Sequence, residues 1–480
     1  MGRQESRGDS TVISRVRDAV VAGTLSAEEV VAAALERIER LNPALNAVVA
    51  LRAEEALADA RAADKARKDG HAAGPLAGVP VLVKDLEDVA GMRTTQGSVI
   101  FADAPLATAD GLIPGRLRAA GAIVVGKANL PEFACEGFTT NLLFGTTRNP
   151  WALDWTPGGS SGGSAAALAA GMVPIATATD GGGSIRIPAA FCGLVGIKPT
   201  GGVVGRRPIP DWIDFSTDGP FATTVADLRL LLSVESGPVA GDPTALPGTK
   251  VKGGGRPGKV YATPRLSPAG PLPAEIAALF DRAVVSVAEM LGKEIDRIEP
   301  ESLWTAGKPD DDWYVMATAE HVHRFGRHFV EANLDRMHPS ARNFLAAGLE
   351  VSIDDYIAAR RRRFDYVRDL DELLGPDGIV LTPTVAASGF LADGRLTPED
   401  DPGTVPNDVY NTGTTNITGH PSISLPAGIC RNGVPFGLQV TGPRFRDGIL
   451  LELAQAWEER HAWPLVAGAY DPFDAALGLT

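Results

Sequence analysis

The chain has 480 residues, 44% of them hydrophobic, and a formal net charge of −14. Apolar material is ample for a large core, while the acidic balance repels phosphate backbones and anionic membrane surfaces and so argues against nucleic-acid or membrane partners. Three cysteines (Cys135, Cys192 and Cys430) are too few for a disulfide framework and suggest a reducing, cytoplasmic setting.

In chain order, Arg3, Glu5, Arg7, Asp9, Arg15, Arg17 and Asp18 leave no room for the apolar stretch of a secretory leader. Met1-Gly2 with Ser6 matches the form of a myristoylation motif. Ser26 and Glu29 predict a capping box ahead of Val30, Val31, Leu35 and Ile38, in a helix ending before Pro43. A second, alanine-rich helix is predicted over 53–68, closed by Gly70. The period then changes: Val79-Pro80-Val81-Leu82-Val83 reads as a buried strand with Lys84-Asp85 at its end. Ile123-Val124-Val125 and 173–179 read as further buried strands. The stretch 155–179 is uncharged, but Pro157, Pro174 and five glycines bar it from being a membrane-spanning helix.

Residues 237–258, rich in Gly and Pro, read as a linker. Beyond it come a strand at Val260-Tyr261-Ala262, helices over 274–291 and 353–374, and strands at Ile379-Val380-Leu381 and Leu438-Gln439-Val440. Strands alternating with helices predict an α/β fold, its mixed and largely parallel sheet covered by helical layers. We expect one domain over 1–480: an N-terminal helical part (1–70), a core (71–235 and 376–480) and a more helical insertion near the substrate pocket (240–375).

Two Gly/Ser clusters stand out, Gly158-Gly159-Ser160-Ser161-Gly162-Gly163-Ser164 and Asp180-Gly181-Gly182-Gly183-Ser184. Turns of this kind leave backbone N–H groups free to bind an anion. Neither cluster carries the lysine of a P-loop or opens a dinucleotide fingerprint, so nucleotide binding is poorly supported. Gly158 to Gly162 fits the nucleophile elbow of α/β hydrolases, which needs a preceding buried strand and a histidine base. The candidates are His420, His461 and the group His321, His323, His328 and His338, with His420 reading better as a structural turn residue. Lysine is the usual substitute for a histidine base. Lys84 at its strand end is the lysine best placed for burial and Lys127 the next, although a salt-bridged structural role fits either.

Together these segments resemble the amidase signature family. The stretch 156–200 is similar to its defining Gly/Ser-rich segment and ends in Cys192-Gly193-Leu194-Val195-Gly196-Ile197-Lys198-Pro199-Thr200. Gly78-Val79-Pro80, Val83-Lys84-Asp85, Asp218-Gly219-Pro220, 416–426 and Gly437-Leu438-Gln439 extend the likeness over roughly residues 20–465. The resemblance implies Ser184 as nucleophile, Ser160 as a bridging serine after a cis peptide bond, and Lys84 as base. It implies amides of Gly181, Gly182, Gly183 and Ser184 as oxyanion donors, with Ser161, Asp180 and Arg186 holding the loops. Gly181 departs from the family pattern, in which relatives often carry a side chain; glycine there is expected to widen or loosen the pocket.

For Lys84 to act as a base it must be neutral, which in water at pH 7 costs about 4–5 kcal/mol; burial can remove that cost. The family likeness implies amide-type C–N hydrolysis without metal or organic cofactor. Stand-alone bacterial amidases acting on aryl acylamides, carbamates (urethanes) or nylon-type oligomers are the nearest type, with a small-molecule substrate and a monomer or homodimer. The alternative is the amidase component of a glutamine-dependent tRNA amidotransferase. Phe133, Cys135, Phe138, Trp304, Trp313 and Tyr314 are candidates for the pocket. Arg360 to Arg363 could bind a substrate carboxylate, but a solvated helix face with Tyr356, Ile357 and Phe364 turned inward fits better.

Overall fold

The computed structural model describes residues 11–209, 211–247, 254–267, 270–395 and 411–479. The Met1-Gly2-Ser6 motif, the charged residues before residue 11 and positions 248–253 of the expected linker lie outside the described residues.

Local chemistry sets the helix ends. Ser26 and Glu29 cap each other's backbone, with Ser26 N donating to Glu29 Oε2 at 2.7 Å and Glu29 N to Ser26 Oγ at 3.1 Å. Asp64, from the Ala53–Lys68 helix, accepts the next free amide, Ala27 N, at 2.8 Å. The Ala27–Leu45 helix passes through Pro43 rather than ending before it. In the last turn the lost amide matters little. Asn42 fixes the exit, its Oδ1 accepting Ala47 N and Val48 N at 2.8 Å each, and Asn46 takes the left-handed cap. The helices expected at Ala53–Lys68, Ala274–Leu291 and Ile353–Leu374 form over those spans.

Two principal sheets form. The smaller contains β1 (Val48–Leu51), β2 (Pro80–Lys84), β3 (Ile123–Ala128) and β4 (Ile175–Ala176), in the order β1-β3-β2-β4. The larger contains β5 (Val195–Lys198), β6 (Phe221–Ala222), β7 (Val260–Ala262), β8 (Asp296–Arg297), β9 (Ile379–Pro383), β10 (Ser422–Ile429) and β11 (Pro435–Thr441). Their order is β6-β5-β10-β11-β9-β7-β8. The α/β class and the mixed character are as read from the sequence. Parallel pairing is confined to β2 with β3 and β4, and to β7 with β8 and β9; the other pairs in these sheets are antiparallel. The expectation of a largely parallel sheet is therefore corrected. Its source is plain: β10 and β11 are joined by a short turn, and such a hairpin needs no crossover helix to betray it.

The strand expected over 173–179 is shorter. After β4, Thr177 N still bonds Leu82 O at 3.0 Å, but the chain then turns away, and Thr179–Asp180 pairs antiparallel with Thr217–Asp218. That departure carries residues 181–184 over the end of β2. Residues 240–375 supply β7 and β8 as well as helices Pro309–Phe325 and Pro339–Glu350, which pack together beside the 181–184 loop. Among the described residues no helix is long and apolar enough to cross a membrane.

Lys84 is held by the rigidity of β2, whose five residues are all buried. Leu82 is fully buried and paired on both sides, to Gly126 and Ala176. Leu82→Ala is expected to lower stability by about 2–5 kcal/mol, read as a shift of the urea unfolding midpoint.

Candidate active site

β2 ends on Lys84, whose side chain is entirely buried. Its Nζ donates to Ser160 Oγ at 2.7 Å, Ser161 Oγ at 2.9 Å and Thr179 Oγ1 at 2.8 Å. Three hydroxyls saturate the amine, and no carboxylate among the described residues bonds it. Burial lowers its pKa from 10.5 to about 7, against the pull of Glu87, Asp180 and Asp218. Glu87 accepts a hydrogen bond from Thr177, whose hydroxyl oxygen also takes Lys84 N at 2.9 Å. Burial, with Asp218 nearby, pushes Glu87 up to about 8, towards its protonated form, which weakens its pull on the lysine.

The Gly159–Ser160 peptide is cis, as the resemblance implied. It leaves Ser160 facing the lysine just before the Gly162–Ala169 helix. Gly159 fits closely against Phe138, since a Cβ there would lie 2.7 Å from the Phe138 N and O atoms. Ser161 N donates to Ser184 O at 3.3 Å, tying the two Gly/Ser clusters together. Ser160 and Ser184 line one cavity of about 1100 Å³. The Ser184 side chain makes no hydrogen bond among the described residues and is open to that space.

The loop from Gly181 to Ser184 is shaped by Asp180. Asp180 Oδ1 accepts Gly183 N at 2.7 Å and Oδ2 accepts Ile185 N at 3.2 Å. The Gly183 amide is thus already committed, which corrects its assignment as an oxyanion donor and leaves the amides of Gly181, Gly182 and Ser184. Asp180 is in turn gripped by the buried Arg186, Oδ2 by Nε and Oδ1 by Nη2, each at 2.9 Å. Burial raises its pKa, but the guanidinium overrides this and holds it at about 2. Arg186 also donates to Thr415 (2.6 Å), Gln439 (2.9 Å) and Asn416 (2.7 Å), which anchors the loop to β11 and to the Gly413–Thr418 helix.

Of the expected pocket residues, Phe133 lines the cavity, whereas Cys135 and Phe138 are buried without facing it. The aromatic run alone could not separate wall from core. Trp313 touches the loop directly, Nε1 donating to Gly181 O at 2.8 Å. Trp304 instead packs on Tyr366, and Tyr314, partly exposed, stands edge-on to Phe344. The cavity's other walls include Gln96, Phe101, Trp212 and His321, with exposed Leu106, Ile209 and Ile213 at its rim. Sequence reading missed Gln96, Phe101 and Trp212, which sit in segments without motif or periodicity.

Of the four arginines at 360–363, Arg361 is exposed, while the other three are engaged with the protein. Arg360 grips Asp214 bidentately at 2.6 and 2.9 Å, Arg362 grips Asp312 likewise at 2.7 and 2.6 Å, and Arg363 donates to Ile417 O at 2.5 Å. Tyr356, half-buried, shares their side and donates to Glu320 at 2.8 Å, but Ile357 (47% exposed) and Phe364 (73%) point outward. Positions 356, 360 and 363 recur at helical spacing, and 357 and 364 fall on a different face.

No histidine reaches either serine among the described residues. His420 Nε2 bonds Asp371 at 3.0 Å, His461 Nε2 meets Ser286 at 2.6 Å, and His321 Nε2 faces Phe133 O at 3.2 Å. Nor does a buried strand precede Gly158. The elbow reading therefore loses both its requirements. Lys127 donates to Asp85 (3.4 Å) and Glu87 O (2.5 Å) and is a satisfied structural lysine.

A fold of mixed sheets under helical layers, with a serine-bound buried lysine beside a glycine loop, defines a hydrolase class that known proteins identify. The Amidase family model matches residues 29–451, so the chain belongs to the amidase family, and it is a hydrolase acting on amides. A Mycobacterium tuberculosis protein named as a putative amidase, AmiA2, is 38% identical over 461 residues, covering 92% of this chain and 91% of that one. A glutamyl-tRNA(Gln) amidotransferase component from Chromohalobacter salexigens is 34% identical, covering 94% of this chain and 96% of that one. The solved structure of a bacterial aryl acylamidase of the amidase signature family superposes with a TM-score of 0.84 at 29% identity, covering 95% and 96%.

Asp180 sits at the hub of this site. Asp180→Ala would leave the Arg186 charge buried without its partner, and is expected to cost about 3–5 kcal/mol of stability, measured by chemical denaturation.

Proposed function

We propose that the chain hydrolyses amides through a covalent acyl-Ser184, with Ser160 relaying the proton to Lys84. The observation that carries this reading is the buried amine held by hydroxyls alone, close to neutrality in its pKa. Ser184 Oγ attacks the carbonyl carbon as its proton passes to Ser160 Oγ and the Ser160 proton passes to Lys84 Nζ. The negative charge on the carbonyl oxygen is taken up by the free amides of Gly181, Gly182 and Ser184; losing one such donor typically costs about 3–4 kcal/mol of barrier. Collapse breaks the C–N bond, and the relay runs backwards to protonate the leaving amine. Water then attacks the acyl-enzyme by the same route and releases the acid.

The substrates we propose are small aryl amides and aryl carbamates rather than free glutamine. Phe101, Phe133 and Trp212 in the cavity wall and the apolar rim support this. The chain would then act in the cytoplasm as a monomer or homodimer, without a different protein as partner. The second reading, an amidotransferase component, is favoured only by the similarity to a protein of that name. A panel of anilides, aryl carbamates and glutamine separates the two: glutaminase turnover far above anilide turnover would remove the first.

Three outcomes test the relay. A serine-directed phosphonate should label Ser184, and Ser184→Ala should cut turnover by about a thousandfold or more with the fold intact; labelling of Ser160 instead would revive the elbow reading. Because Lys84 must be neutral, kcat/KM should rise with pH along a limb near 7 and level off above it. Lys84→Ala should slow single-turnover acylation by an amide far more than by a matched activated ester, whose leaving group needs little protonation. Small, equal losses on both would make Lys84 structural.

A further inference from the structure

Gly181 and Gly183 are glycines for different reasons. Gly183 has φ +129°, a region that side chains rarely enter. Gly181 has no such constraint, and what a side chain there would meet is an indole ring. A Cβ at 181 would lie 1.7 Å from Trp212 Cε3 and 2.0 Å from Cζ3. Trp212 has little freedom to retreat. Its Nε1 donates to Ala317 O at 3.0 Å, its ring stacks on Phe215 (centroids 6.0 Å, planes 9° apart), and it stands edge-on to Trp313 (5.6 Å, 67°). Trp313 is fixed to the same loop through Gly181 O, and a Cβ at Gly182 would come within 2.5 Å of its ring. Two indoles thus press on successive residues of the loop that ends in Ser184, and Trp212 is also a wall of the cavity into which Ser184 opens. The missing side chain at 181 does not widen the pocket, as the sequence suggested; the ring of Trp212 takes up that space.

We infer that Trp212, admitted by Gly181, narrows the cavity beside Ser184 and makes the enzyme select planar or unbranched acyl groups over α-branched ones. The inference rests on the reading of Ser184 as nucleophile. A flat acyl group can lie offset against the indole, in the arrangement aromatic pairs favour. A branch at the carbon next to the carbonyl needs volume that the ring already occupies, in an interior packed too tightly to yield it. One methylene in a pocket is worth roughly 10–200-fold in discrimination, so an indole placed there is a strong filter.

The test uses the full chain and 4-nitroanilides of acetic, benzoic and pivalic acids. Wild type should prefer the acetyl and benzoyl substrates over the pivaloyl one. Trp212→Ala should shrink that preference by about tenfold or more, and Trp212→Phe, which keeps an aromatic ring in the packing, should fall between. Gly181→Ala should lose activity on every substrate, and adding Trp212→Ala should restore at least about tenfold of it, a coupling expected only where two residues compete for one space. An unchanged acyl preference in both Trp212 variants, or a Gly181→Ala loss that Trp212→Ala leaves untouched, overturns the inference. Labelling rates with unbranched and branched phosphonates keep the two claims apart. No labelling of Ser184 in wild type overturns the nucleophile itself. Labelling of Ser184 that ignores branching in wild type and Trp212→Ala alike overturns the selectivity alone.

Discussion

An amine with no solvent and no bonded carboxylate is the constraint around which this molecule is arranged. Burying a lysine beside a charged aspartate would lock it as an ion pair, as happens to Lys127 with Asp85. Lys84 instead meets three hydroxyl oxygens drawn from two separate segments, 160–161 and Thr179. Hydroxyls accept from the amine yet can turn and donate to it, so they satisfy the neutral and the charged forms alike. A carboxylate would favour only the charged form. The nearby acids act at a distance, and the one that acts most strongly, Glu87, is itself pushed towards its protonated state.

Such a site must be rigid, because a displaced hydroxyl leaves a buried amine short of a partner. Two sheets divide the work. The smaller provides Lys84, the proposed base, at the end of β2, where pairing on both sides prevents slippage. The larger anchors the serine loop through Arg186, which reaches Gln439 on β11 while it holds Asp180. A buried ion pair is costly unless every donor is used, and Arg186 uses its donors on Asp180, Thr415, Gln439, Asn416 and the Thr412 carbonyl. The cost of burying it is accepted for geometry: fixing Asp180 commits the Gly183 amide and sets the course of the loop that ends in Ser184.

What the sequence revealed follows from how local the cause is. Capping pairs and alanine-rich periodicity are written in a few adjacent residues, and the helices over 53–68, 274–291 and 353–374 were legible to the residue. The strand ending on Lys84 was legible because its apolar run stops at a charge. Strand direction was not, since β10 and β11 become neighbours through a turn whose residues carry no strong signal. The inward face of the Ile353–Leu374 helix was misjudged because its partners, Asp214 and Asp312, are long-range acids that draw Arg360 and Arg362 into ion pairs. Trp212 stayed invisible for the same reason: its meaning lies in the absence of a side chain at position 181, some thirty residues earlier.

The three buried lysines among the described residues show why motif and burial together still fall short of a mechanism. Lys84, Lys127 and Lys198 are all essentially inaccessible, and burial lowers the pKa of each. Lys198 is brought to about 7, the same as Lys84, yet its Nζ donates to the Pro199 carbonyl at 3.0 Å and meets no serine. Lys127 donates to the Asp85 carboxylate, the Glu87 carbonyl and the Thr94 hydroxyl, and none of these partners is a serine. A base needs both an accessible neutral form and a proton to take, and among the described residues only the Lys84 amine, of these three, touches a serine hydroxyl that opens on the cavity beside Ser184. Chemistry here is selected by the identity of the neighbour at hydrogen-bond distance, with the titration shift as its condition and not its cause.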